Sequence, residues 1–104
     1  MGQNISKVDF IIVGGGSAGC VLANRLTDAT PYKVLLIEAG PQDTNPWIHI
    51  PIGYGKNFRN PSINWMLQTE RGERWVKTQV PTPRGKVIGG SSSINGMVYM
   101  RGNQ

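Results

Sequence analysis

A short apolar run that ends in a triple glycine limits this chain to very few folds. Phe10-Ile11-Ile12-Val13 leads directly into Gly14-Gly15-Gly16-Ser17-Ala18-Gly19. Val8 to Val13 is rich in β-branched and aromatic side chains and reads as a buried strand. Gly14, Gly16 and Gly19 meet the spacing G-x-G-x-x-G, and each has its own task. Gly14 permits a tight turn out of the strand. Gly16 lets bare backbone approach a bound group closely, and Gly19 lets the next helix pack against the strand.

That helix is expected from about Ser17 to Thr27, with Ala18, Leu22 and Leu26 forming an apolar stripe and Ala23 a small added contact. Asp28-Ala29-Thr30-Pro31 stops it, because proline cannot continue a helix. Lys33-Val34-Leu35-Leu36-Ile37 then reads as a strand buried on both faces of a parallel sheet. Glu38 follows, nineteen residues beyond Gly19. The order strand, glycine turn, helix, strand, acid predicts an α/β fold with a Rossmann-like parallel core. In that setting the amides and positive dipole end of the helix face a phosphate, and Glu38 accepts hydrogen bonds from ribose hydroxyls. The same carboxylate repels a 2′-phosphate and so disfavours NADP. A flexible glycine loop followed by a solvated acid does not account for this order. Residues 8–40 are therefore expected to bind an ADP moiety.

The rest of the chain is less regular. With 104 residues, 38% of them apolar, seven prolines and fourteen glycines, it is at most one small domain or part of a larger one. Its net charge of +5 comes largely from the second half, including Arg71, Arg74, Lys77, Arg84, Lys86 and Arg101. These cations are scattered, Glu70 and Glu73 lie among them, and aromatic residues are not interleaved, which argues against nucleic acid as a partner. The single cysteine, Cys20, excludes an internal disulfide or a cysteine-rich metal site and is expected to be a small buried group. No run is long enough to span a membrane and no leader precedes the first strand, so the expected location is cytoplasmic. Gly2 and Ser6 match the loose myristoylation pattern, which leaves room for peripheral membrane association, although a polar lead-in is the default reading.

Residues 41–83 form a proline-punctuated segment expected to cover a ligand or another part of a larger protein. Trp47-Ile48-His49-Ile50-Pro51 reads as a turn of helix, and Ile63-Asn64-Trp65-Met66-Leu67 as a strand. His49 is the sole histidine; with no acid close in sequence to partner it, it is read as structural. Residues 84–102 carry the second glycine-rich stretch, where Gly89-Gly90 precedes Ser91-Ser92-Ser93-Ile94-Asn95-Gly96. Free amides and hydroxyls at this bend suit a second anion contact, with Ser91 or Ser92 as N-cap of a new helix or as phosphate donor.

The stretch from Gly85 to Gly102 resembles the first signature of the glucose–methanol–choline (GMC) oxidoreductases. Phe10 to Gly40 resembles that family's N-terminal ADP-binding element, and Asn64-Trp65 with Gln68-Thr69-Glu70 its intervening segment. The likeness runs from Asp9 to Gly102 and is nearest in tone to the bacterial choline and alcohol dehydrogenases. The resemblance implies FAD rather than NAD. It also implies that Gly14, Gly16, Ser17, Ala18 and Glu38 contact the ADP half. Val87, Gly90, Ser91, Asn95, Gly96, Met97 and Val98 are implied to line the flavin half, with Asn95 near the isoalloxazine. Some members carry a histidine near there that bonds covalently to the flavin; Asn95 in this chain implies a non-covalent cofactor.

Oxidation of an alcohol requires hydride transfer to flavin N5 and a base for the hydroxyl proton. In the resembled family that base is a histidine near the C-terminus, and no residue of this chain corresponds to it. The expectation is an N-terminal part of a larger two-domain enzyme, lacking the substrate domain, with no catalytic residue and no metal ligand of its own. Its alcohol substrate belongs to the whole enzyme, and its oligomeric state is open. The alternatives are part of an NAD-linked dehydrogenase, which leaves Gly89 to Gly96 unexplained, and a non-catalytic nucleotide-binding or interaction protein.

Overall fold

A computed structural model describes residues 7–72 and 78–103. The order anticipated for the first forty residues is present: strand β1 (Phe10–Val13), helix α1 (Ser17–Asp28) and strand β2 (Val34–Ile37). β1 and β2 pair in parallel, Phe10 opposite Val34 through Val13 opposite Ile37, with α1 as the crossover. This is the strand–helix–strand core of a Rossmann-like α/β fold. Asp9 Oδ2 accepts from the Lys33 amide at 2.8 Å and so sets the register from the open end.

Burial departs from expectation. Ile11, Val13, Val21 and Leu22 are exposed, as is Ile37, while Val34, Leu35 and Leu36 are only half-buried. In the α1 stripe Ala23 and Leu26 are half-buried but Ala18 and Leu22 are not. The reason is geometric. A parallel strand is dry on both faces only when helices cover both, and among the described residues this two-stranded sheet has one helix. Among the described residues the fully buried apolar side chains are Ile63, Val87 and Ile94, backed by Ile48, so the packed centre lies where the middle segment meets the second glycine stretch.

In that middle segment a helical turn α2 (Pro46–His49) is capped by Asn45, whose Oδ1 accepts from the Trp47 amide at 3.0 Å. A 3₁₀ turn (Pro51–Gly53) and the short α3 (Tyr54–Asn57) follow. The strand expected at Ile63–Leu67 is replaced by a bridge from Asn64 to Gly85 and a two-residue strand β3 (Leu67–Gln68), which pairs with β4 (Pro81–Thr82). Met66 breaks the run because its φ of 56° is left-handed. Asn64 holds that break: its Oδ1 accepts from the Met66 amide (3.0 Å) and the Arg84 amide (3.1 Å), and its Nδ2 donates to the Phe58 carbonyl. Cys20 is half-buried and its thiol donates to the Gly15 carbonyl. The myristoylation pattern at Gly2 and Ser6, together with Glu73, Arg74 and Lys77, lies outside the described residues. No helix among the described residues is long and apolar enough to cross a membrane.

With three fully buried apolar side chains among the described residues and a largely uncovered sheet, the chain has little cooperative core. In the absence of ligand it is expected to unfold over a broad temperature range and to bind a hydrophobic dye at room temperature. A sharp calorimetric transition without dye binding would contradict this reading.

Candidate functional site

The glycine turn after β1 is closed by hydrogen bonds rather than left as a loose loop. The Gly14 amide, at φ 100°, donates to the Ile37 carbonyl at 2.7 Å. Gly16 is the N-cap of α1, and the first helical bond runs from the Cys20 amide to the Gly16 carbonyl, so the amides of Ser17, Ala18 and Gly19 have no intrahelical acceptor.

The second glycine stretch is a single 3₁₀ turn, Gly90–Ser93, where the start of a helix was expected. Gly89 (φ 89°) and Gly90 (φ 62°) are consecutive left-handed residues, which bend the chain too sharply for an α-helical N-terminus. The serines serve the turn itself. Ser92 donates to the Gly89 carbonyl and Ser93 to the Ile88 carbonyl, while the Ser91 hydroxyl accepts from the Gly85 amide at 3.0 Å. Neither Ser91 nor Ser92 acts as an N-cap.

The two bends are packed on each other. The Gly89 amide donates to the Gly15 carbonyl at 2.7 Å, and a Cβ placed on Gly90 would fall 2.9 Å from the Gly16 Cα. Only glycine at position 90 lets the backbones come this close, whereas a Cβ on Gly16 would stand 4.0 Å from the Gly90 Cα, an ordinary contact. Between them runs a groove of about 790 Å³, lined by Gly14, Gly16, Ser17, Ala18 and Glu38 from the first half and by Gly90 and Ser91 from the second. Its volume is within the range of small-molecule clefts.

Glu38 is already engaged: Oε2 accepts from the Gly15 amide at 2.6 Å and Oε1 from the Gly40 amide at 3.0 Å. A carboxylate offers about four acceptor positions, so each oxygen retains capacity for a further donor. Glu38 thus belongs to the architecture of the turn as well as to the groove.

The other residues expected at the site are distributed differently. Val87 is fully buried in the core and its side chain takes no part in the groove. Asn95 and Met97 line a second depression of about 360 Å³ on the other side of the serine turn, with Ser92, Ser93, Tyr54, Asn57 and His49. Asn95 Oδ1 accepts from the Met97 amide at 2.8 Å, and Met97 has a left-handed φ of 56°. Gly96 lies near Phe58 and Tyr54, and Val98 is exposed. His49 does have an acidic partner, six residues before it. Its Nε2 lies 2.5 Å from the Asp43 carbonyl oxygen and 3.8 Å from Asp43 Oδ2, because the α2 turn folds back on its own lead-in.

Sequence reasoning missed Trp65, Arg84 and Gly85, which also line the main groove. They arrive through the Asn64 junction, where the Trp65 amide donates to the Arg84 carbonyl at 2.9 Å and the Lys86 amide to the Ile63 carbonyl. The available signal was Asn64 itself, a polar residue between two bulky apolar ones.

Comparison with known proteins supplies the remaining findings. The sequence profile of the family described as GMC oxidoreductase matches residues 8–104. An alcohol dehydrogenase [acceptor] from Pseudomonas putida is 52% identical over 96 residues, which cover 92% of this chain and 17% of that protein. An oxygen-dependent choline dehydrogenase from Vibrio vulnificus is 46% identical over 95 residues, 91% of this chain and 17% of its own length. Among solved structures, pyridoxine 4-oxidase from Mesorbium loti superposes with a TM-score of 0.82 at 42% identity, covering 92% of this chain and 19% of that one. The chain therefore spans about one sixth of the length of these curated relatives.

Proposed function

This chain belongs to the GMC oxidoreductase family, and from that premise we propose that it binds FAD along the groove between its two glycine bends. It does so as the nucleotide-holding part of an oxidoreductase acting on the CH–OH group of alcohols, choline or another primary alcohol. The observation that carries this reading is the shared groove, since two separated backbone bends meet over one cleft.

The residues present fit the ADP half of such a ligand. The amides of Ser17 and Ala18 at the start of the twelve-residue α1 carry the positive end of its dipole and suit a pyrophosphate. Gly14, Gly16 and Gly90 put no side chain in the way, and Ser91 lines the facing wall. Among the described residues Arg84 is the one cation that lines the groove and offsets ligand charge; Glu38 receives the ribose hydroxyls on its remaining lone pairs. The flavin half is assigned to Asn95, Gly96, Met97 and Val98 beyond the serine turn. The cofactor is held non-covalently. When bound, FAD supplies the acceptor for hydride from a carbinol carbon. The residues of this chain orient it and exclude water from its phosphates; we assign none of them a proton-transfer role, and the chain alone is expected to be inactive toward alcohols.

Separate titrations with FAD, NAD and NADP, followed by tryptophan fluorescence, test the proposal. FAD is expected to bind most tightly and NADP most weakly. Tighter binding of NAD than of FAD would overturn it.

A further inference from the structure

The depression beyond the serine turn holds a polar atom that the protein itself leaves unsatisfied. Asn57, at the end of α3, is 2% exposed and lines that depression, and its Oδ1 has no hydrogen-bond partner among the described residues. Turning the amide over gives no relief. Its Nδ2 donates to the Trp47 carbonyl at 2.9 Å, and a carbonyl oxygen at that place accepts only an N–H. A buried acceptor without a partner is costly, so such an atom marks a place for a donor from outside the chain.

Other groups of the lining are acceptors too. Ser92 and Ser93 spend their only hydroxyl protons on the Gly89 and Ile88 carbonyls, so their oxygens keep lone pairs and no proton to offer. The Asp43 carboxylate receives no hydrogen bond among the described residues, since His49 Nε2 stays 3.8 Å from its Oδ2. Trp47 and Tyr54 add ring surface, and Ile48, which backs the buried core, ties this wall to the packed centre. Among the described residues no lysine or arginine lines the depression; the Lys56 ammonium lies over the Trp47 ring, 3.4 Å from its centroid.

A carboxylate, unspent oxygens and aromatic rings together select a cation rich in donors. We propose that this depression binds a small primary ammonium, a protonated alkylamine. Its N–H groups serve Asn57 Oδ1, the Asp43 carboxylate and the serine oxygens, and its carbon chain lies on the rings. The volume of about 360 Å³ accommodates such a molecule. Asn57 Oδ1 is sealed from solvent, so the contact forms as the lining adjusts around the ammonium, which makes this side chain a reporter of binding. The site needs no nucleotide and shares only Asn95 and Met97 with the residues assigned to the flavin half.

An NMR titration of the full chain with n-butylammonium, n-butyltrimethylammonium and 1-butanol tests the proposal. Butylammonium should saturate and should shift the Asn57 side-chain amide and Trp47 indole signals, leaving the Ser17 and Ala18 amides unmoved. The quaternary ion has no N–H and the alcohol has no charge, and each is expected to bind about tenfold more weakly. Asp43→Asn, at a half-exposed position, should weaken butylammonium about threefold. Equal binding of the primary and quaternary ions would overturn the proposal, as would a lack of saturation or shifts confined to the glycine groove. Unchanged affinity in a folded Asp43→Asn would do the same, and the three ligand titrations decide the matter without any variant.

Discussion

Gly19→Ala is expected to abolish measurable FAD binding and to leave the first forty residues without fixed tertiary structure. A Cβ on Gly19 would fall on the Gly14 carbonyl oxygen, far inside contact distance, and 3.1 Å from the Gly14 carbonyl carbon. Both are backbone atoms, so no side-chain rotation relieves the overlap. The turn cannot retreat, because the Gly14 amide is bonded to Ile37 at 2.7 Å. The N-terminal turn of α1 must move instead, and with it the amides of Ser17 and Ala18 that line the groove. Overpacking of this kind costs about 3 kcal/mol or more where nothing yields, equivalent to about 100-fold or more in affinity. Gly55→Ala is the matched control: open space surrounds that position, and it lies within α3, where alanine is the better helix former. Near-ultraviolet circular dichroism and an FAD titration read the two variants. Binding by Gly19→Ala within about threefold of the parent would mean that the helix does not pack on the turn as described.

The contrast between those two glycines also separates what sequence could reveal from what it could not. β1, α1 and β2 are local patterns: an apolar run, a glycine spacing and Pro31 are enough to place them within a residue or two. The meeting of the two bends followed from reading both as glycine-rich and serine-rich turns that serve one ligand. Burial was not legible, because whether Leu22 or Ile37 is dry depends on what packs against the sheet rather than on the strand itself. The serine turn was misread because Ser-Ser-Ser is an ordinary helix start, and only the consecutive left-handed glycines before it divert the hydroxyls to carbonyls 88 and 89. Trp65 and Arg84 depend on one side-chain amide, Asn64, that joins segments twenty residues apart. No periodicity encodes such a junction.

Glu38→Ala is the second substitution with a large expected effect, and its consequences fall into two separable parts. Without ligand, the carboxylate accepts from the Gly15 and Gly40 amides at 2.6 and 3.0 Å and so ties β2 to the glycine turn and to the loop that follows. Gly15 is buried and Gly40 half-buried, so alanine leaves two donors with restricted access to water. The expected stability loss is about 2–4 kcal/mol, reduced toward the lower figure where solvent reaches Gly40. Glu38→Gln should fall between, since its oxygen can serve one amide while its NH₂ group must face the other. With ligand, the negative charge is expected to favour ADP over 2′-phospho-ADP in the parent chain by about tenfold, through repulsion of the extra phosphate. Glu38→Ala and Glu38→Gln both remove that charge, so both should lose the preference, although only alanine loses both backbone bonds. Amide hydrogen exchange at Gly15 and Gly40 reads the first effect as a local stability, and paired titrations with the two nucleotides read the second. If Glu38→Gln still discriminated against the 2′-phosphate as strongly as the parent, the ribose would lie elsewhere in the groove, and Glu38 would serve only to brace the turn.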